Sequence, residues 1–401
     1  MKKFILAAFI LYLPFQLKLP QIPMISTLNF FLIILLIIFL FNKKQNRNAF
    51  GVDIAILLFL LTWIASFAHT LCYPPGIWKY EVATDFKRLI SLVLAYFVFS
   101  RCIKTKKDLN FLYYSVLLSI ILVALYTWKS GMLAGPHFAD FKRSSGPFAP
   151  DWRGADIAGG FLATFTPFLL SFTILTKKNI LKFIGLGGLI VCGLGIFATY
   201  SRGSILALGL ASIVTILASI RQILKTSKIT AIIILIAFIG LGLSWERWVP
   251  QSIINRVQGT TVQEETFTGE SPLDESSQKR IVKWQAGLEI FEMNPVFGLG
   301  YRIPEFVLAT DIHNSFIQIA AEMGIFGFLA FIIFILTIFI QAKSLIAAEF
   351  NWVGIGFTGC IIAFVLVNLF YSNFFRDTVV GTFWVLLGLL VSAKKISSEA
   401  A

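Results

Sequence analysis

His313 is the residue best placed to move a proton. It stands with Asn314 where a polar stretch gives way to a long apolar run, so its imidazole is predicted to lie at a membrane surface. We place it in the first turn of a helix, behind a cap at Thr310 or Asp311. The positive end of a helix disfavours a further positive charge, so the ring is expected to be neutral and able to accept a proton. An ordinary surface histidine is the alternative.

Small residues follow His313 at helical spacing. Gly324 stands eleven positions on, about three helical turns below His313 on the same face, and Ala320 and Gly327 flank this stripe. Small residues allow a neighbouring helix to approach closely. The stripe therefore predicts a tight helix contact that holds the imidazole rigidly, although ordinary glycine packing would produce the same pattern.

Arginines are concentrated on one side of the predicted membrane. Lysine-rich turns mark the cytoplasmic side by the positive-inside rule, and that side takes 15 of the 22 lysines but 3 of the 12 arginines. The other nine are assigned to the outer side: Arg88, Arg143, Arg153, Arg202, Arg247, Arg256, Arg280, Arg302 and Arg376. A guanidinium presents a planar fork of donors to phosphate or carboxylate oxygens. The outer surface is therefore predicted to bind an anion. For Arg247, Arg256 and Arg376 we favour a simpler role, contact with lipid headgroups.

The composition places these residues in an integral membrane protein. Of the 401 residues, 57% are hydrophobic and 14% are charged, and the mean hydropathy is +0.82. A soluble chain of this length could not cover such a surface with polar groups. The net charge of +13 is explained in large part by membrane topology, so nucleic-acid binding is not expected.

We predict an all-α polytopic protein with about twelve transmembrane helices and both termini in the cytoplasm. The predicted spans are 4–19, 26–41, 52–72, 86–103, 110–129, 156–175, 180–200, 203–221, 229–245, 314–341, 352–372 and 376–393. This division gives three parts. Residues 1–245 hold nine spans, residues 246–313 form a large outer loop, and residues 314–401 hold three spans and a cytoplasmic tail.

The large loop is predicted to have two halves. Residues 258–279 are polar and rich in Thr, Ser and Glu. Residues 279–293 form an amphipathic helix that Asn294-Pro295 ends, with an apolar stripe of Ile281, Trp284, Leu288 and Phe291 that should lie in the membrane interface.

Charged residues are scarce near the centres of the spans. Transporters usually place ionisable groups or broken helices there, so a chain that carries substrate across the membrane is disfavoured. Metal binding is also not expected, because the cysteines lack ligand spacing and His137 and Asp140 have no evident third ligand.

The ordered motifs resemble those of the O-antigen ligase superfamily, which includes sugar-polymer polymerases and protein O-oligosaccharyltransferases. His313-Asn314, nine residues and then Gly324-Ile325-Phe326-Gly327 is similar to the family's histidine motif. Three further segments are similar to family motifs in the expected order: Arg143-Ser144-Ser145-Gly146-Pro147-Phe148, Tyr200-Ser201-Arg202-Gly203-Ser204, and Arg280-x-x-x-Trp284 with Asn294-Pro295-Val296-Phe297-Gly298-Leu299-Gly300. The resemblance covers about residues 80–390. It departs from the family where residues 149–153 stand in place of a Pro-Asn pair.

The resemblance implies a GT-C-like ligase fold and a glycosyltransferase in the bacterial inner membrane with its active site facing the periplasm. The implied donor is a glycan on undecaprenyl pyrophosphate, and the implied acceptor is a sugar hydroxyl. His313 would be the general base. The implied pyrophosphate ligands are, in order of weight, Arg202, Arg280, Arg143, Arg88 and Arg302. Asn314, Gly324 and Gly327 would be the structural part of the motif, and the inverting reaction would need no metal and no cofactor.

Four functions follow from these observations. A ligase would join the O-antigen glycan to the lipid A-core, and its partners would be these two substrates and membrane lipids. A polymerase would extend another lipid-linked glycan; it shares the size, spans and long loop that favour the ligase. A protein O-oligosaccharyltransferase is disfavoured, because the chain stops at Ala401 without an extra soluble region. A flippase or exporter is the alternative from another class.

Overall fold

The computed structural model describes residues 2–18, 26–42, 50–73, 78–133, 143–149, 154–224 and 275–399. The regular structure in these ranges is helical, which confirms the predicted all-α membrane fold. The helices are α1 (Lys2–Tyr12), α2 (Thr27–Leu40), α3 (Phe50–Leu71), α4 (Trp78–Arg101), α5 (Lys106–Leu133), α6 (Ala155–Leu175), α7 (Asn179–Thr199), α8 (Arg202–Ile223), α9 (Glu275–Met293), α10 (Ile303–Leu308), α11 (Ser315–Leu345), α12 (Asn351–Phe370) and α13 (Asp377–Glu399). Short 3₁₀ turns follow at Leu13–Phe15, Gly146–Phe148 and Asn373–Phe375.

Eight of the described helices are long and apolar enough to cross a bilayer: α3, α5, α6, α7, α8, α11, α12 and α13. Helices α1, α2 and α4 coincide with three more predicted spans but are shorter or more polar. The predicted span 229–245 lies outside the described residues, as does most of the polar segment 258–279. The count of twelve spans therefore stays a prediction.

Helix α4 begins earlier than its apolar run. The sequence predicts a span from residue 86, but the helix begins at Trp78 and includes two polar turns. Asp85 on these turns forms an ion pair with Arg302, and Arg88 forms one with Asp377 at 3.2 Å. Since these charges find partners on other elements, the helix can extend beyond the part that hydropathy identifies.

Helices α6, α12 and α13 form the centre of the bundle. The most apolar stretch of α6 is 83% buried, and those of α12 and α13 are 72% and 78% buried. Close packing around α6 depends on a small residue, because a β-carbon at Gly160 would lie 1.8 Å from Nδ2 of Asn373. Helices α3, α7 and α8 lie at the periphery, with exposed apolar side chains such as Leu186 and Leu210. Such surfaces suit contact with lipid.

The helix ends gather at two opposite faces of the bundle. At one face Arg101 pairs with Asp53 at 3.0 Å. The opposite face carries the Arg88–Asp377 pair, and we call it the His313 end. It collects the last turns of α3, α5, α7 and α12 and the first turns of α4, α6, α8, α11 and α13. Residues from distant parts of the chain therefore meet around His313.

Candidate active site at the His313 end

His313 lies in the connection that leads from α10 into α11. Because α11 begins at Ser315, His313 precedes the helix, and its predicted place in the first turn is wrong. The N-cap is Asn314 rather than Thr310 or Asp311, and its side-chain oxygen accepts hydrogen bonds from two backbone N–H groups of the first turn. Such a cap stabilises a helix by about 1 kcal/mol. The role of the cap explains why asparagine follows the histidine.

The backbone of His313 adopts a left-handed conformation, with φ of 58°. Its N–H donates to Oδ1 of Asp311 at 2.7 Å, and its carbonyl oxygen accepts a bond from Nε1 of Trp284 at 3.4 Å. A left-handed conformation costs a residue with a β-carbon about 1–2 kcal/mol, which these contacts help to offset. Among the described residues, the hydrogen bonds of His313 are made by its backbone. The half-buried ring is therefore available to a substrate.

Asp311 connects this segment to the turn between α12 and α13. Its Oδ1 accepts a bond from Oγ of Ser372 at 2.6 Å, and its Oδ2 accepts one from Nη2 of Arg376 at 3.0 Å. Burial alone would raise the pKa of this carboxyl. Arg376, His313 and Ser372 lower the pKa by more than burial raises it, so the pKa of Asp311 lies below its usual value. The carboxylate stays ionised. Arg376 thus holds Asp311, contrary to the lipid contact favoured from the sequence.

The surroundings of His313 favour its neutral form. Burial lowers the pKa of the imidazole below its usual value, and the positive charges of Lys283 and Arg280 lower it further. The carboxylates of Asp311 and Asp156 act in the opposite direction without reversing the shift. Burial and the charges on α9 therefore favour the neutral form, and the effect of the helix end that the sequence suggested stays a prediction.

Helix α9 carries two of those charges to the site. It runs over Glu275–Met293, close to the predicted 279–293, and it ends before Asn294 as expected. Ile281 and Leu288 of the predicted apolar stripe are exposed. Trp284 of the stripe is partly buried against Ile312, and Gly287 allows a further close contact, since a β-carbon there would lie 2.8 Å from Cγ2 of Ile317. This close approach turns the face with Arg280 and Lys283 towards His313.

Tyr371 joins α9 to the start of α8. The guanidinium carbon of Arg280 lies 4.9 Å from the centre of the Tyr371 ring, a cation–π contact. The Tyr371 hydroxyl forms a 2.9 Å hydrogen bond with Oγ of Ser201, which also bonds Oγ of Ser204 at 2.7 Å. Arg202, the first residue of α8, follows Ser201 directly. The structure therefore brings the start of α8 and Arg280 together around one aromatic ring.

Arg143 reaches the same place from a different segment. Its Nη2 forms an ion pair with Asp156 at the start of α6, and its Nε donates to the carbonyl oxygen of Thr199 at 2.8 Å. The charges of Arg143, Asp156 and Arg280 all act on Tyr371. We call Arg143, Asp156, Ser201, Arg280 and Tyr371 the Tyr371 cluster. Its two guanidinium groups outnumber its single carboxylate.

Arg88 and Arg302 lie in a separate group on the other side of Asp311. Arg302 pairs with Asp85 and, through Nε at 2.9 Å, with Glu305. Together with their partners these side chains line a cavity of about 120 Å³. Its charged lining residues are Asp85, Arg88, Arg302, Glu305, Asp311, Arg376 and Asp377. Four carboxylates there face three guanidinium groups, so this cavity offers less to an anion than the Tyr371 cluster does.

Helix α11 is broken at Gly324, which the stripe of small residues did not predict. Gly324 has φ of 66° and ψ of −165°, a conformation essentially restricted to glycine. At the break, the backbone of α11 bonds to the segment that follows α9. Ile325 N donates to the Pro295 carbonyl at 2.8 Å, and Leu299 N donates to the Ala321 carbonyl at 2.8 Å. The predicted continuous helical face between His313 and Gly324 is therefore wrong. Gly324 admits a backbone rather than a neighbouring helix, since its β-carbon would lie 2.2 Å from the Val296 oxygen.

Glu322 lies at this break and is completely buried. Its Oε1 accepts a bond from Nε2 of Gln318 at 2.8 Å, and the same nitrogen donates to Oε1 of Glu305 at 2.8 Å. The sequence predicts few charges near the centres of the spans and no broken helix. Helix α11 contradicts the second point, and Glu322 is a buried ionisable residue within a predicted span. Because transporters use broken helices and ionisable groups within spans, α11 is less unlike a transporter helix than its sequence suggests.

The turn Tyr371–Arg376 was not recognised as part of the site. Besides Tyr371, Ser372 and Arg376, it supplies Asn373, whose Nδ2 donates to the Asp156 carbonyl at 3.3 Å. A signal was present in the sequence, because Ser372 and Asn373 are polar residues in a short connection between two apolar spans. Two polar residues in a connection do not by themselves predict a site, because the sequence does not show which distant residues they contact.

Comparison with known proteins agrees with the motifs. Residues 187–332 match a family described as O-Antigen ligase. No curated protein matches the chain. The matched region runs from α7 to α11 and includes Arg202, Arg280 and His313, and it confirms the predicted likeness to the O-antigen ligase superfamily. The family implies glycosyltransferase activity of the O-antigen ligase or polymerase type.

Proposed function

We propose that this chain, a multi-pass membrane protein with an O-antigen ligase region, transfers an O-antigen glycan from undecaprenyl pyrophosphate to a sugar hydroxyl of the lipid A-core. The reaction takes place at the His313 end, which faces the periplasm of a bacterial inner membrane. The observation that carries the proposal is a neutral, half-buried imidazole beside a cluster with excess guanidinium charge. A base and an anion site at one membrane surface are what transfer from a lipid pyrophosphate requires.

His313 acts as the general base. As the acceptor oxygen attacks the anomeric carbon from the side opposite the pyrophosphate, the hydroxyl proton passes to the imidazole. The bond between the anomeric carbon and the pyrophosphate oxygen breaks, and its electron pair leaves with the pyrophosphate. The product is inverted at the anomeric carbon. No metal ion or cofactor takes part in the proposed step.

Arginines stabilise the negative charge that grows on the leaving pyrophosphate. Guanidinium groups placed where charge develops lower the barrier more than they strengthen ground-state binding. Arg280 is held by the Tyr371 ring, and Arg202 begins α8 beside Ser201. We give these two the main role. Arg143 follows, and Asp156 offsets part of its charge.

Arg88 and Arg302 have a lesser role in this proposal. Both form ion pairs with carboxylates around the 120 Å³ cavity, so we infer that they hold the side chains around Asp311 in place rather than bind the pyrophosphate. Asn314 and Gly324 act indirectly, through the cap and the break of α11.

Transfer by purified enzyme tests the proposal. Wild-type protein in lipid nanodiscs should move glycan from undecaprenyl pyrophosphate to lipid A-core. His313→Ala should bind the donor normally but lower the single-turnover rate about 10²–10⁴-fold, the usual contribution of a general base. His69→Ala is the control, because His69 is an exposed histidine in the last turn of α3 at the same end of the bundle.

Each outcome bears on a different part of the proposal. Weakened donor binding with an unchanged rate in His313→Ala would remove His313 as the base. Transfer to another lipid-linked glycan, with none to lipid A-core, would identify a polymerase. Absence of transfer to both acceptors by the wild-type protein would refute the glycosyltransferase proposal.

A further inference from the structure

A long apolar groove runs along the outside of the bundle between α1, α2 and α5. Its volume is about 1120 Å³, above the ~300–1,000 Å³ of pockets that hold compact small molecules. The walls come from the halves of these helices nearest the His313 end, for example Leu11, Phe31 and Leu125. The charged residue in the lining is Lys129 on α5. This shape and chemistry suit a long, flexible hydrocarbon chain.

The upper end of the groove adjoins the segment that carries Arg143. Phe15 lines the groove and lies in a 3₁₀ turn that packs against the Gly146–Phe148 turn. Lys18, just beyond Phe15, donates from Nζ to the Ala149 carbonyl at 3.4 Å.

Helix α5 makes a second connection to the same segment. Oγ of Ser144 donates to the Thr127 carbonyl at 2.7 Å and lies 2.6 Å from Oγ of Ser130. The groove-lining Tyr126 and Lys129 come from the same turns of α5. Residues 143–149 therefore connect the upper end of the groove, at Phe15 and Lys18, with Arg143 of the Tyr371 cluster.

The head of a lipid in the groove could also point towards a second cavity, and the charges along the two routes differ. Tyr12 also lines a polar cavity of about 270 Å³ that shares Arg88 and Asp377 with the 120 Å³ cavity. That route passes Lys87 and leads to the 120 Å³ cavity, where four carboxylates offset the charge of three guanidinium groups. The route past Lys129 leads to the guanidinium groups of Arg143 and Arg280, which attract one. An anionic lipid in the groove would therefore direct its head towards the Tyr371 cluster.

We propose that the groove between α1, α2 and α5 binds the prenyl tail of the lipid-linked donor and directs its pyrophosphate past Lys129 to the Tyr371 cluster. This inference rests on the proposed function, since it requires a donor with an anionic head on a long tail. The bilayer already surrounds the tail with hydrocarbon. The groove adds orientation, because it holds the tail beyond its first two isoprene units and so directs the head towards Arg280.

Donors that differ in tail length test the groove. In detergent solution, where no bilayer contributes, the wild-type KM should be lower for an undecaprenyl donor than for a geranyl donor with the same glycan. Leu125→Trp and Ala8→Trp place a large ring in the groove at exposed positions. Each should raise the undecaprenyl KM about ten-fold, through the loss of a few buried methylene contacts. The geranyl KM and the kcat of both donors should not change.

Leu210→Trp on α8 is the matched control. Leu210 is 42% exposed and Leu125 is 38% exposed, and both face away from the core of the bundle. The control should keep the wild-type KM for both donors. If the groove variants also keep it, or if Leu210→Trp loses as much, the groove does not bind the tail.

A binding experiment separates this inference from the proposed reaction. A photoactivatable prenyl phosphate should crosslink to the groove-facing stretches of α1 and α5, and Leu125→Trp should abolish these crosslinks. Crosslinks confined to other helices would overturn the groove assignment even if transfer activity is present. Groove crosslinks in a protein that transfers no glycan would refute the proposed function and leave a prenyl-phosphate site.

Discussion

The charge of one imidazole controls the proposed chemistry at the scale of single residues. His313 accepts a proton only when neutral, and burial together with Lys283 and Arg280 lowers its pKa. Protonation therefore removes the base at a lower pH than for an ordinary histidine. Activity should accordingly persist into mildly acidic conditions before it falls.

Lys283→Gln tests the electrostatic part of this explanation. Removing a positive charge makes the imidazolium less unfavourable, so the pKa of His313 should rise. The acid limb of the profile of kcat/KM against pH should then move to higher pH. Lys279→Gln is the control, since Lys279 is exposed one helical turn away and is not among the main causes of the lowered pKa of His313. A limb that stays in place, moves to lower pH or moves equally in the control would contradict this explanation.

Single residues could be predicted where a motif marked them. His313, Arg202, Arg280 and Arg143 were all selected from the sequence, and the fold brings the segments that carry them to one end of the bundle. The contacts of Tyr371 and Arg376 could not be predicted, because they join α12 and α13 to residues on α8, on α9 and before α11. A residue type next to an apolar span does not specify which distant element it will meet.

At the scale of elements, the break in α11 is the feature that most affects the site. It lets the backbone from Pro295 to Gly300 bond to the chain at Ala321–Ile325. This contact ties the segment after α9 to α11, and so it holds α9 over His313. The position of Arg280 and Lys283 therefore depends on the conformation of Gly324.

Gly324→Ala should destabilise the protein. The substitution places a β-carbon 2.2 Å from the Val296 oxygen in a backbone conformation that L-residues avoid, at a cost of about 1–3 kcal/mol or more. The midpoint of thermal unfolding in detergent and the transfer rate should both fall. Gly193→Ala on α7 is the matched control, because nothing lies within 4 Å of its β-carbon position. Alanine there should be neutral or slightly stabilising. Equal midpoints for the two variants would show that the break does not require glycine.

The elements themselves were largely predictable because hydropathy reports burial in lipid or protein along a span. The run over 314–341 correctly predicted most of α11. The break in α11 could not be predicted from hydropathy, because the hydrogen bonds that replace the lost helical ones come from residues 295–300 of another segment. The glycine pattern was visible but was assigned to helix packing, which uses the same small residues.

The whole molecule has a charge asymmetry that predicts its orientation. By the positive-inside rule, the lysine-rich turns predict that the face with Arg101 and Asp53 lies in the cytoplasm and the His313 end in the periplasm. Which helices form the centre was not predictable, because lipid-facing α7 and buried α6 are similarly apolar. The difference arises from packing, such as the contact of Gly160 with Asn373.

Cysteine labelling tests the orientation directly. Cys72 is exposed at the His313 end, and the other three cysteines are buried. A membrane-impermeant maleimide should label Cys72 in intact spheroplasts. In a Cys72→Ser background, Lys178→Cys at the opposite face should be labelled only after the membrane is permeabilised. The reverse pattern would place the site in the cytoplasm and contradict the use of a periplasmic donor.

The distribution of the site along the chain has a consequence for biogenesis. Asp311 receives Ser372 and Arg376 from the connection between α12 and α13, and α13 packs against α4. A nascent chain that has inserted only as far as α11 therefore lacks the partners that hold Asp311 and Arg280. Under the proposed function, activity requires that α13 has entered the membrane and packed against α4. An incompletely synthesised chain is then expected not to consume the proposed lipid-linked donor, so translation and membrane insertion would delay activity until assembly is finished.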